Sequence, residues 1–121
     1  MSTSKTISYH AMTRPALDLL HGTVDLLVLR TLAWEPMHGY AIGQFVKTRT
    51  DGAIALESAA LYQALHRLEK RKLVRAWWGV SETRRRARFY EITAAGRAAL
   101  KSQSTDLRAY VAALYQVLDA R

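Results

Sequence analysis

In the stretch SETRRRARFYEIT, residues 81–93, four arginines (Arg84, Arg85, Arg86 and Arg88) fall within five positions and lead into an aromatic, strand-like run. Fixed positive charge at that density suits the neutralisation of a polyanion. Each phosphate met by an arginine releases condensed counterions and adds about 0.9 to the salt dependence of binding. A solvated charge run is the other reading of the same residues. The chain on either side has to decide between them.

A second constellation lies upstream, in ESAALYQALHRLEKRK. Leu61, Leu65 and Leu68 recur at helical spacing and define a narrow core face. On a 100° wheel Ala59, Gln63, His66 and Lys70 point away from it, with Tyr62 and Arg67 at its flanks. Ser58 is a good N-cap type at the start of the helix. An outward glutamine can make a bidentate contact to adenine, and an outward tyrosine can donate to phosphate. For Gln63 and His66 a solvated face is the plain alternative, and for Tyr62 a place at the rim of the core. Lys70, Arg71 and Lys72 also suit a helix C-terminus, where cations meet the negative end of the dipole.

Other chemistries find no support. His10, His21, His38 and His66 have no mutual metal-ligand spacing, and there is no cysteine to complete a site. His38, in MHGY, reads as a packing or capping residue at a helix start. No Ser-His-Asp set, carboxylate pair or phosphate-cradling glycine loop is present, so the chain is expected to be neither an enzyme nor a cofactor carrier.

The bulk numbers agree with a binding role. At 121 residues and 50% hydrophobic, the chain can build one domain with a real core. Its 18 Lys and Arg against 10 Asp and Glu give a net charge of +8. A small domain so basic usually meets nucleic acid or an acidic membrane surface. No apolar stretch reaches the roughly 18–20 residues of a membrane span, and no helix pairs basic and apolar faces strongly enough to lie on a bilayer. The first residues lack an apolar signal-peptide core. Residues 1–15 read as a polar tail, with Lys5 and Arg14 as its cations, and the absence of cysteine suits the cytoplasm.

The elements that must position these residues come in a definite order. LDLLHGTVDLLVLRTLAWEP reads as a first helix, closed before Pro36. Leu20, Val24, Leu27, Val28, Thr31 and Leu32 lie on one face, while Leu19, Leu26, Leu29 and Ala33 lie on the opposite one. A small domain covers one such face, which leaves the other for a partner. A short helix with Ile42, Phe45 and Val46 follows, then an Asp51-Gly52 turn, then the helix at 58–71. Two alternating segments, LVRAWWG and ARFYEIT, make a β-hairpin whose tip, 80–88, holds the arginines. Thr93 caps a last helix on which Leu100, Leu107, Val111, Leu114 and Leu118 form a heptad-like seam with Ser104 inside it. Trp34, Trp78, Phe89 and Tyr90 are most simply core.

Three helices followed by a hairpin is the winged helix-turn-helix order, mainly α with a small β-hairpin and here a long C-terminal helix. The expected division is a tail (1–15), a winged DNA-binding domain (16–92) and a dimerisation helix (93–121). The segments GTVDLLVLRTLAWEPMHGYAI, LYQALHRLEKRKLV and WGVSETRRRARFYEITAAGRAAL, across about 19–100, closely resemble the PadR family of bacterial transcriptional regulators. That resemblance implies a homodimer joined through the first and last helices, with two recognition helices on a palindromic operator in double-stranded DNA. It places Tyr62 and the arginines after Ser81-Glu82 at the DNA. It further implies that a planar aromatic effector can enter at or near the dimer interface, where Trp34 is the residue to watch. Two departures stand out. Gln63 occupies a position where relatives often carry proline, and Trp77 one where a polar residue is common. The expected function is a dimeric, sequence-specific regulator, most simply a repressor. The competing class is a winged-helix protein–protein interaction module whose charge serves an acidic partner.

Overall fold

The computed structural model describes residues 14–121, with side chains from Gly22 onward. The order is α1 (Arg14–Trp34), β1 (Met37–His38), α2 (Gly39–Arg49), α3 (Ser58–Lys70), β2 (Val74–Val80), β3 (Arg86–Ile92) and α4 (Ala94–Leu118). The strands form one antiparallel sheet in the order β1-β3-β2, with Ala76 opposite Tyr90 and Trp78 opposite Arg88. The hairpin was legible in the alternating pattern. The third strand, two residues long, is too short to show any alternation.

The core is one cluster of Val24, Val28, Leu29 and Leu32 from α1, Met37 from β1, Ile42 from α2, Leu61, Ala64, Leu65 and Leu68 from α3, and Leu73, Val74, Tyr90 and Ile92 from the hairpin base. The leucine stripe of α3 therefore packs as its spacing requires. Leu29 does not behave as expected: it is 0% exposed and belongs to the core, so it cannot meet a second chain. The cause is topological. Within one chain α1 touches α2, α3, β3 and α4, so its second face is partly covered from inside the protomer. Ala33 and Leu100 pack against the same cluster as half-buried residues, and Leu26 is half-buried. Leu19 and Leu20 lie where side chains are outside the described set, and most of the 1–15 segment is outside it altogether.

Local chemistry sets the corners. The His38 imidazole caps α2, with Nδ1 accepting from the Ala41 N–H at 3.2 Å. Asp51 and Gly52 both adopt left-handed backbone in the α2–α3 turn. The N-cap of α3 is Glu57, which makes no side-chain capping bond, and the expected cap, Ser58, is instead the first helical residue. At the other end Lys72 takes a positive φ of 61°. The Leu73 N–H then reaches the Leu68 carbonyl and the Lys72 N–H the Glu69 carbonyl, both at 2.9 Å. This double closure turns α3 sharply into β2. Thr93 caps α4 as its type suggests, accepting from the Gly96 N–H at 3.0 Å. Its hydroxyl also donates to the Lys72 carbonyl at 2.8 Å, and its N–H to that of Leu73 at 3.0 Å. Gly96 sits so tightly on Leu73 that any side chain there would overlap the Leu73 carbonyl oxygen. The start of α4 is thus fastened to the corner that ends α3.

Candidate nucleic-acid interface

Helix α3 buries Leu61, Ala64, Leu65 and Leu68 and turns Ser58, Ala59, Tyr62, Gln63, His66 and Lys70 outward. Ala59, Gln63, His66 and Lys70 face outward as the wheel places them, and Ser58 and the flanking Tyr62 join them. Tyr62 is 49% exposed. Its ring lies so close over Gly39 that a Cβ at that position would overlap the Tyr62 hydroxyl. Glycine at position 39 therefore lets the tyrosine lean across the start of α2.

One member of the expected set faces elsewhere. Arg67 grips Asp25 of α1 with two bonds, Nη2 to Oδ1 at 2.6 Å and Nε to Oδ2 at 3.4 Å. That hydrogen bond raises its pKa, and it holds the side chain against α1 rather than in the outward row. Arg67 is a fastening between helices.

Across the groove stands the wing. Its tip is closed by the Arg84 N–H to the Ser81 carbonyl at 2.9 Å and the Ser81 N–H to the Arg85 carbonyl at 2.8 Å. The Ser81 hydroxyl adds bonds to the Arg85 N–H at 3.3 Å and to the Thr83 hydroxyl at 3.0 Å. Arg84 takes a left-handed φ of 63°. Arg84 and Arg85 are exposed and have no acidic partner among the described residues. Arg88, by contrast, turns onto the protein and pairs with Glu69 of α3 at 3.0 Å. Arg86 lies over the Trp78 ring, 4.4 Å from its centroid. The four arginines thus divide into two at the tip and two on the wing's body.

The wing is tied back to α2. His38 Nε2 lies 3.5 Å from Glu82 Oε1. Because Nδ1 accepts from Ala41, the ring proton of neutral His38 sits on Nε2 and is donated to Glu82. The Glu82 carboxyl is held below the usual carboxylate range, first by its own backbone N–H and then by His38. Between α2, Tyr62 and the wing lies an open cleft of about 1210 Å³ lined by His38, Tyr40, Arg49, Tyr62, Arg85 and Arg88, among others.

The outward side of α2 was missed by the motif reading. Tyr40, at 71% exposure, Gln44 and Lys47 are all exposed. Their spacing of four and three places them on one helical face, and they line a smaller hollow shared with Ser58 and Tyr62. That spacing was the available signal. Two aromatics expected in the core are on the surface: Trp34 is 61% and Trp78 54% exposed. Trp34 lies at the last residue of α1, beyond the reach of the core, with the Arg49 guanidinium 5.6 Å from its ring. Trp78 lies too far out on the hairpin for α3 to cover it. Tyr90 is buried as expected, and burial pushes its phenol up. Phe89 is half-buried between His38 and Trp77, stacked on the latter at 6.1 Å. Among the described residues no cluster of His, Asp or Glu is arranged to hold a metal ion, and no helix is long and apolar enough to cross a membrane.

Residues 28–102 match the family model described as the transcriptional regulator PadR-like family. The chain belongs to the PadR-like family. An uncharacterized protein of Lysinibacillus sphaericus is 31% identical over 83 residues, covering 69% of this chain and 76% of that one. Among solved structures, a transcriptional regulator from Clostridium thermocellum superimposes with a TM-score of 0.75 at 25% identity, covering 88% of this chain and 97% of its own. A PadR family transcriptional regulator from Eggerthella lenta gives 0.70 at 28% identity, covering 88% and 90%. The PadR-like fold, four helices with a small three-stranded sheet and a long last helix, is the one described above. Membership makes this chain a DNA-binding transcriptional regulator by family.

Proposed function

We propose that the chain is a homodimeric, sequence-specific repressor in the cytoplasm that binds a palindromic operator with α3 in the major groove and the wing, 80–88, on the adjoining backbone. The observation that carries this is the juxtaposition of an exposed hydrogen-bonding row (Ser58, Tyr62, Gln63, His66, Lys70) with a tip on which Arg84 and Arg85 are exposed and without an acidic partner among the described residues. Base edges are read by the row, and phosphates are met by Arg84, Arg85, Tyr62 and the missed trio Tyr40, Gln44 and Lys47. Arg86 and Arg88 add charge behind the tip, with Arg88 shared with Glu69.

The dimer rests on α4. Val111, Leu114, Leu118, Tyr110, Tyr115 and Val117 are all exposed along its last two to three turns, with half-buried Leu107 at the head of the row. On a 100° wheel they span roughly 160°, wider than a two-stranded seam needs. So wide a face suits contact with more than one partner helix, α4 and α1 of a second copy. Trp34, exposed at the end of α1, is where a planar aromatic effector would be sought.

The test is an electrophoretic shift and anisotropy titration using duplex DNA from upstream of the chain's own gene, against a scrambled duplex of equal length. Selective binding at a stoichiometry of two chains per duplex is expected. Equal, weak binding to both duplexes would favour a protein–protein interaction module instead.

A further inference from the structure

Trp78 sits in the middle of the wing and is absorbed by none of these roles. On the ladder it faces Arg88, and alternation places it on the same sheet face as Val74, Ala76, Tyr90 and Ile92. At the base of the hairpin that face enters the core. Further out it turns toward α3, where Arg88 reaches Glu69. Trp78 is therefore on the inner side of the wing, beside the recognition helix, yet more than half its surface meets water. Val80, the next residue on this face, is exposed as well, opposite Arg86.

The surroundings of the indole narrow what could cover it. Arg86 and Arg88 stand 4.4 and 5.5 Å from its ring centroid. Two guanidinium groups over the ring repel a basic partner and would be costly to bury against an apolar one. An exposed aromatic surface shared with cations fits a nucleotide, whose sugar and base are apolar or π-faced and whose phosphate is anionic.

We propose that Trp78 is a DNA-contacting residue, its exposed indole packing on the sugar or base of a nucleotide whose phosphate is met by Arg86. This rests on the DNA-binding reading above. It adds a contact that is not ionic to a wing otherwise read as purely electrostatic. Stacking of this kind tolerates sequence, so Trp78 strengthens binding to every site without choosing among them.

The test uses the full chain carrying Trp78→Ala or Trp78→Phe, with anisotropy titrations on the duplex bound by the wild type at several salt concentrations. Loss of the indole should weaken binding roughly 5- to 150-fold, with the salt slope unchanged and most of the loss recovered by phenylalanine. A second arm uses Trp34→Phe with Trp77→Phe, which leaves Trp78 as the sole tryptophan, excited selectively at the red edge of indole absorption. Acrylamide should quench it freely in the unbound protein and poorly once duplex is added. A slope lowered by about 1 or more in Trp78→Ala would overturn the proposal, since the ring would then act only by aiming arginines. So would unchanged affinity, or a fluorophore equally quenched with and without DNA. If the wild type binds no duplex, the functional reading itself fails, which the titration of the unmodified chain shows first.

Discussion

Arg84 occupies a backbone conformation that favours glycine, and this allows its charge to be separated from its fold. At φ 63° an L-residue other than glycine bears about 1 kcal/mol of strain. Replacing it by glycine removes that strain but adds about 0.5–1 kcal/mol of chain entropy lost on folding. The turn's hydrogen bonds are made by backbone atoms and by Ser81, so they survive the change. Arg84→Gly should therefore leave stability unchanged or raise it by up to about 0.5 kcal/mol, a Tm gain of no more than a few degrees. DNA binding should respond in the opposite direction. One lost phosphate contact lowers the slope of log K against log salt by about 0.9, and Arg84→Ala with Arg85→Ala lowers it by about 2, alike for all sequences. Calorimetry on the free protein and anisotropy across a salt series measure both quantities. A Tm loss of several degrees in Arg84→Gly would refute the turn geometry. An unchanged slope in the double variant would remove the wing tip from the DNA.

Three further outcomes are expected. Gln63→Ala should cost about 1–3 kcal/mol at one base pair per half-site and relax preference there; a selected-site profile that keeps every position would show that Gln63 reads nothing. Leu107→Glu with Leu114→Glu places charge in the exposed α4 face, where each buried leucine is worth about 1.5–3 kcal/mol to a dimer. Analytical ultracentrifugation should then show monomers or aggregates with no tight operator binding, whereas a wild type that sediments as a stable monomer at micromolar concentration would end the dimer reading. Gly96→Ala forces a methyl group into the Leu73 carbonyl, and thermal unfolding should show a loss of about 2 kcal/mol or more.

What the sequence showed and what it hid follow a physical line. Periodicity exposed every helix and the hairpin, because the leucines of α3 and the alternation of β2 and β3 are local signals. It also placed Gln63, His66 and Lys70 outward, since the wheel needs only one buried stripe as reference. It failed where burial depends on tertiary coverage. Leu29 looked free because nothing local says that α4 folds back on α1. Trp78 looked buried because hydrophobicity says nothing about how far a hairpin projects past its helix. Arg67 looked like its basic neighbours until Asp25, forty-two residues earlier, was seen to hold it. The exposed residues Tyr40, Gln44 and Lys47 on α2 are visible as a spacing but carry no charge run.

The fastening of Thr93 and Gly96 to the corner after α3 makes α4 a lever for whatever holds its far end. From Thr93 to the middle of the exposed face at Val111 is 18 residues, or roughly 27 Å of helix. In a dimer gripped there, a tilt of about 7° at the seam would carry the fastened end some 3 Å. Successive base pairs are about 3.4 Å apart along a duplex whose half-sites are separated by one helical turn. A change in crossing angle that small would thus shift each recognition helix by one step along the DNA. The spacing of the two half-sites is then set less by α3 than by the angle at which two copies of α4 cross.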